Sequence, residues 1–259
     1  MDVRRTGWAL AMAAGLVRAA SAVAPVVPDH AGVYEKWFRN RLELGTRFSR
    51  VELLHADRWD VRTKHGFVGT ICHLEEEQTI MPYNLTAAYF PGPHWGGVLR
   101  WEQMEALAVT HSTDHHVDGT YRARGPALLL AGRWPLGRGW VPYAELGFHA
   151  PTVDFAGADW WRQGYETAAE YDAGDGSAKH GHVRRMDTRA EDPVGLAAGV
   201  GLGWRFGERW MLDAGVRYVG VEGRSHHYSI DENGHVNDHG TQTVPLSYLA
   251  AGAGAAFRF

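Results

Sequence analysis

From Val194 to Phe206 an apolar residue recurs at every second position: Val194, Leu196, Ala198, Val200, Leu202, Trp204 and Phe206. Between them stand Gly195, Ala197, Gly199, Gly201, Gly203 and Arg205. A period of two sustained this long is a strand pattern, since a helix face repeats every 3.6 residues. One face is apolar and ends in aromatics. The other is mostly glycine with a single charge, which suits a crowded interior. Trp210, Leu212, Ala214, Val216 and Tyr218 repeat the pattern against Asp213, Gly215 and Arg217. Ala251, Ala253, Ala255, Phe257 and Phe259 repeat it again. An apolar band closed by aromatics, opposite a small and charged face, is what a lipid-facing barrel strand presents.

The pattern predicts eight strands, over 41–54, 83–90, 97–111, 121–136, 140–153, 194–206, 209–223 and 243–259. The connections alternate in length. Pro91-Gly92-Pro93-His94, Gly137-Arg138-Gly139 and Gly207-Glu208 carry the chemistry of tight turns. The segments 55–82, 112–120, 156–192 and 224–242 are longer and polar. Short turns on one side and long loops on the other are the rule for outer-membrane barrels. The third segment strains the pattern, because Glu102, Gln103 and Glu105 crowd around Met104. Either a β-bulge near Gln103 or a strand already risen past the lipid accounts for them.

The run GLAAGVGLGWRFGERWMLDAGVRYVGVEG, with the final strand ending Phe257-Arg258-Phe259, resembles the small outer-membrane β-barrels of the OmpW/OmpA type. The resemblance spans roughly 42–259. It implies an eight-stranded, antiparallel, up-and-down transmembrane barrel in the outer membrane of a Gram-negative cell envelope. It also implies outer-membrane lipids and the assembly machinery as partners, with Phe257 and Phe259 as the assembly signal. A lateral path for small hydrophobic molecules is implied for the OmpW type.

Composition narrows the choice further. A net charge of −4 leaves no basic field for nucleic acid. One cysteine, Cys72, excludes an intrachain disulfide. A mean hydropathy of −0.32 is compatible with a barrel, whose strands show lipid only alternate side chains. No apolar run is long enough for a membrane helix. The 11 Trp and 10 Tyr suit interfacial girdles, or the core of a soluble β protein. Residues 1–22 read as a signal peptide, with Arg4 and Arg5, an apolar Trp8–Val17 and Ala20-Ser21-Ala22 as the cleavage site; a retained amphipathic helix is the alternative. Residues 23–40 then form a periplasmic lead-in and 41–259 the barrel.

Parity puts Glu43, Arg47, Arg100, Glu102, Arg133, Glu145, Arg205, Asp213 and Arg217 inside. An eight-stranded lumen is just wide enough for side chains, so these are expected to pair. The network then either plugs the barrel as a structural element or lines a narrow ion path. Histidine pairs such as His115-His116, His180-x-His182 and His226-His227 fall in the long loops without a structural zinc spacing, so no metal site and no cofactor is expected. Asp231-Glu232-Asn233-Gly234 lacks the ligand ladder of a calcium loop and reads as a chain reversal. Thr110-His111-Ser112-Thr113-Asp114 faintly resembles the His-x-Ser-Asn segment of outer-membrane lipid hydrolases. It departs where Ser and Asn should stand, so no catalytic residue is assigned and the chain is expected not to be an enzyme.

Overall fold

The computed structural model describes residues 37–54, 61–62, 73–76, 80–109, 117–163, 185–231 and 233–259. Strands in chain order are β1 (Leu42–Leu53), β2 (Val61–Arg62), β3 (His73–Glu76), β4 (Ile80–Tyr89), β5 (Trp95–Val109), β6 (Val117–Arg133), β7 (Trp140–His149), β8 (Thr152–Gly157), β9 (Arg185–Ala190), β10 (Gly195–Phe206), β11 (Trp210–Gly220), β12 (Glu222–Ile230), β13 (Val236–Pro245) and β14 (Tyr248–Arg258). A short helix α1 (Asp159–Gln163) follows β8.

Eight of these strands close a ring in the order β1-β4-β5-β6-β7-β10-β11-β14 and back to β1, every neighbour antiparallel. Closure removes every free edge, which a sheet in lipid requires. The sequence-predicted strands match these eight, with ends moved by a few residues. The short turns lie where expected. Gly207 and Gly139 take the left-handed φ values of 64° and 86° that tight reversals favour.

The outer face carries the apolar belt. Leu85, Leu99, Leu128, Leu130, Leu146, Phe148, Val200, Leu202, Leu212 and Val216 are all exposed. Its lower border, on the short-turn side, is aromatic. Trp95 packs on Trp134, Trp140 on Trp204, Phe206 on Trp210, and Trp210 on Phe257, which also meets Phe259. Val194 to Trp204 spans about 33 Å of strand at ~3.3 Å per residue, or about 25 Å along the barrel axis at a tilt of ~40°, the height of an outer-membrane apolar band.

Much of the predicted long loops is strand. β9, β12, β13 and β2 form a second sheet, while β3 and β8 extend the first by pairing with β5 and β6. Above the belt the wall is therefore two sheets facing one another. Tyr121 on β6 donates across to Ser225 Oγ on β12 at 2.9 Å. Asn233-Gly234 does sit at a reversal, between β12 and β13, where Asp231 Oδ1 accepts from the Asn233 and His235 amides.

No bulge lies near Gln103. β5 and β6 stay in register from Trp95↔Gly132 to Ala108↔Gly119, and the first shift comes after Ala108. Glu102 and Met104 point inward and are buried, while Glu105 points outward to Arg122 and Arg124 at 3.5 and 3.4 Å. The strand has risen past the lipid, and its outer face changes from apolar to charged between Trp101 and Glu105.

The belt has a direct test. Leu130→Arg places a cation on the lipid face and is expected to destabilise the barrel by about 2–4 kcal/mol, whereas Gln103→Arg above the belt costs about 0–1 kcal/mol. Equilibrium folding into lipid vesicles, followed by heat-dependent migration in SDS gels, measures both. Equal costs would place the membrane elsewhere.

Candidate functional site: the lumen and its outer rim

Gly199, Gly201 and Gly203 on β10 and Gly215 on β11 face inward because large side chains from other strands need the space. A Cβ on Gly199 would lie 2.8 Å from Glu145 Oε1, and one on Gly201 would overlap the Tyr143 hydroxyl. All nine charged residues assigned to the interior by parity lie within the barrel, in two layers.

The middle layer is balanced. Arg100, 1% exposed, holds Glu145 with two bonds, Nη1 to Oε1 at 2.5 Å and Nη2 to Oε2 at 2.8 Å. Glu102, also 1% exposed, lies 3.7 Å from Arg100 and 3.1 Å from Arg217. Asn84 on β4 donates to Glu102 as well. Arg47 meets Asp213 at 2.6 Å and donates to the Tyr143 hydroxyl at 2.8 Å. Arg47, Arg100 and Arg217 thus face Glu102, Glu145 and Asp213, three charges of each sign. Guanidinium forks suit this work because they satisfy carboxylates with two bonds at once.

The lower layer, beside the short turns, converges on one oxygen. Glu43 Oε1 accepts from Arg133 Nη1 at 2.7 Å, and from Arg258 Nη2 and Nε at 2.6 and 2.9 Å. Arg205 Nη2 lies 3.9 Å from the same oxygen. Arg133 also donates to the Pro93 carbonyl at 3.2 Å and sits 3.5 Å over the Phe90 ring. Between the layers is a cavity of about 70 Å³, walled by Phe90, Val98, Val141 and Met211. Arg258 and Asn84 escaped the sequence reading. Arg258 alternates with the outward Phe257 and Phe259, which is the sequence signal for its inward position.

Above the middle layer the interior turns apolar. Val51, Met104, Ala106, Val219, Val221, Leu246 and Tyr248 belong to one buried cluster. The wall beside it is not continuous. β4 pairs with β5 only from Thr86↔Arg100 to Tyr89↔Gly97. Pairing with β5 resumes on β3, from Glu76↔Ala106 to His73↔Val109. Trp101–Glu105 therefore have ladder partners on β6 alone among the described residues. This interruption spans the upper edge of the belt, with Trp101 outside and Met104 inside.

On the outer sheet His226 and His239 stack with ring nitrogens 3.3 Å apart, and His226 bonds Glu191 at 2.8 Å. Among the described residues no group of three or more His, Cys, Asp or Glu is placed to hold a metal. His227, on the opposite face of β12, is buried and bonded to Thr188. Burial holds its pKa down to about 4, against a hydrogen bond to Gln242 that raises it. The segments 1–36, 110–116 and 164–184 lie outside the described residues. They hold the expected signal peptide, most of the lead-in, the hydrolase-like segment and several of the loop histidines. Cys72 also lies outside them.

No protein-family model matches the chain, and no curated protein does. Solved structures do. The outer membrane protein OprG from Pseudomonas aeruginosa superposes with a TM-score of 0.57 at 15% identity, over 86% of this chain and 98% of that one. The outer membrane protein AlkL gives 0.56 at 15% identity, over 86% and 92%. The E. coli outer membrane protein W superposes more loosely, at 0.43 and 17% identity over 86% and 99%. The chain has the eight-stranded barrel fold of small outer-membrane proteins.

Two outcomes are expected of the site. Glu145→Gln leaves buried Arg100 with only the longer contact to Glu102 and is expected to cost about 3 kcal/mol, with most of it restored in Glu145→Gln/Arg100→Met. Folding titrations of the single and double variants measure the difference. His227 works by linkage. The open outer sheet takes up a proton near pH 6.5 and the closed one only near 4, so stability is full above pH 6.5 and falls as the pH drops to 4. The loss is about 3 kcal/mol at ~1.4 kcal/mol per pK unit. Amide exchange of β12 and β13 is expected to quicken across that window in the wild type and much less in His227→Gln.

Proposed function

We propose that this outer-membrane barrel carries small hydrophobic molecules from its outer end sideways into the membrane, and does not conduct along its axis. The observation that carries the reading is the interrupted ladder between β4 and β5. It lies at the upper edge of the belt, beside a buried apolar interior that includes Met104. The middle ionic layer forms the floor. With Arg100 and Glu102 almost wholly buried, an ion moving down the lumen would have to break paired charges in a low dielectric. An apolar molecule has no reason to cross that layer and a short way out beside it.

A purely structural barrel whose loops meet other surfaces is the second reading, favoured by the same closed lumen. The reading in either form is non-enzymatic. Its partners are outer-membrane lipids, the assembly machinery and, for the first reading, a small hydrophobic ligand.

A clamp across the interruption separates the two. In a Cys72→Ser background, Tyr83→Cys and Gln103→Cys continue the register of the paired ladder just above the Asn84–Glu102 contact. Oxidation is expected to slow entry of the apolar dye N-phenylnaphthylamine into proteoliposomes at least tenfold, with recovery on reduction. Planar-bilayer recordings of the wild type are expected to stay silent. Unchanged dye entry after verified crosslinking would leave the structural barrel.

A further inference from the structure

The two ionic layers differ in one respect that parity alone does not reveal: one is balanced and the other is not. At the short-turn end, Arg133, Arg205 and Arg258 surround the single carboxylate of Glu43. A shallow recess of about 10 Å³ opens there, lined by Glu43, Arg205, Glu208, Arg209, Trp210 and Arg258, among others. Counting Arg133 behind it, four arginines face two carboxylates, leaving two positive charges in excess. Glu43 is already committed, its Oε1 taking bonds from both Arg133 and Arg258. Arg205 is left over. Its Nε and Nη2 are buried and make no hydrogen bond among the described residues, the contact to Glu43 being a long 3.9 Å. Buried guanidinium donors without acceptors are costly, and an added acceptor of negative charge would remove that cost.

We infer that the Arg205–Arg258 recess is an anion site, built to take one oxygen of a carboxylate or phosphate from the periplasmic side. The volume is that of a single water-sized atom, so the site grips an oxygen and leaves the rest of the ligand outside. Arg205 lines the recess and supplies the free donors by turning its guanidinium toward the entering oxygen, since Nε and Nη2 are otherwise shielded, and Arg258 supplies the second fork. Trp210 and Met211 beside them form an apolar border that lowers the local dielectric. The site faces away from the outer rim and does not depend on the lateral route.

The test uses the full refolded barrel in a zwitterionic detergent at low salt. Isothermal titration with inorganic phosphate and with acetate is expected to give saturable binding in the wild type. Arg205→Gln is expected to weaken it at least tenfold and Arg205→Lys by less. Arg138→Gln removes one exposed charge from the same end of the barrel and is expected to leave binding unchanged. Glu43→Gln, if it folds, is expected to tighten it. Dihexanoyl phosphatidic acid separates the sources: displacement of phosphate would mean that lipid headgroups enter the same site, and no displacement would mean free anions alone. Absence of saturable binding to heat-modifiable, folded wild type would overturn the inference, as would equal binding by wild type and Arg205→Gln.

Discussion

The middle of a lumen enclosed by eight strands has little room for a charge without a partner, and much of this molecule follows from that constraint. Arginines and carboxylates inside must lie against one another, so glycine must occupy the strands opposite them. The forks of Arg47, Arg100 and Arg217 then tie strands from around the ring. Arg100 on β5 reaches Glu145 on β7, Arg217 on β11 reaches Glu102 on β5, and Arg47 on β1 reaches Asp213 on β11. These bonds cross the lumen, whereas the ladders run around it. A slip of one residue in any of these strands would turn a buried charge toward lipid, so the layer fixes register as well as closing the axis.

Above that layer the physics changes. The inner face becomes apolar, the outer face becomes charged, and the barrel opens into two facing sheets. This inversion of the belt's pattern marks where lipid ends and water begins on the outside. It also places a buried apolar cluster above the ionic layer, with polar side chains such as Ser225 and Ser247 at its margin. Such a cluster favours an apolar molecule over an ion, which is the physical basis of the proposed lateral route.

The barrel strands were legible because each alternates a lipid-facing apolar set with a small or charged set, and parity alone assigned nine interior charges. The outer strands were not legible for the complementary reason. β12 turns Ser225, His227 and Ser229 inward and Arg224, His226 and Tyr228 outward, so both faces are polar and hydropathy carries no period. The crowding around Met104 was readable only as an alternative between a bulge and a strand leaving the lipid. The unbroken β5–β6 register decides for the latter. The interruption on the other side of β5 left no trace in the sequence, because ladder pairing depends on where the neighbouring chain runs and not on the residues of β5. Likewise parity could count interior charges but could not sort them into a balanced and an unbalanced layer, which depends on their heights along the axis.

Glu102 joins these features. Through Arg100 and Arg217 it belongs to the middle layer, and through Asn84 it is bonded to the strand across the interruption. The backbone ladder stops at Thr86↔Arg100, yet the Asn84–Glu102 contact carries the connection between β4 and β5 one step higher by side chains. The opening therefore has a defined lower end. It cannot extend downward without parting a buried carboxylate from its donors, a change that costs several kcal/mol in this environment. Above Glu102 the next inward residue of β5 is the apolar Met104, while Gln103 and Glu105 face outward. The ionic layer and the lower limit of the interruption thus meet in one residue, Glu102.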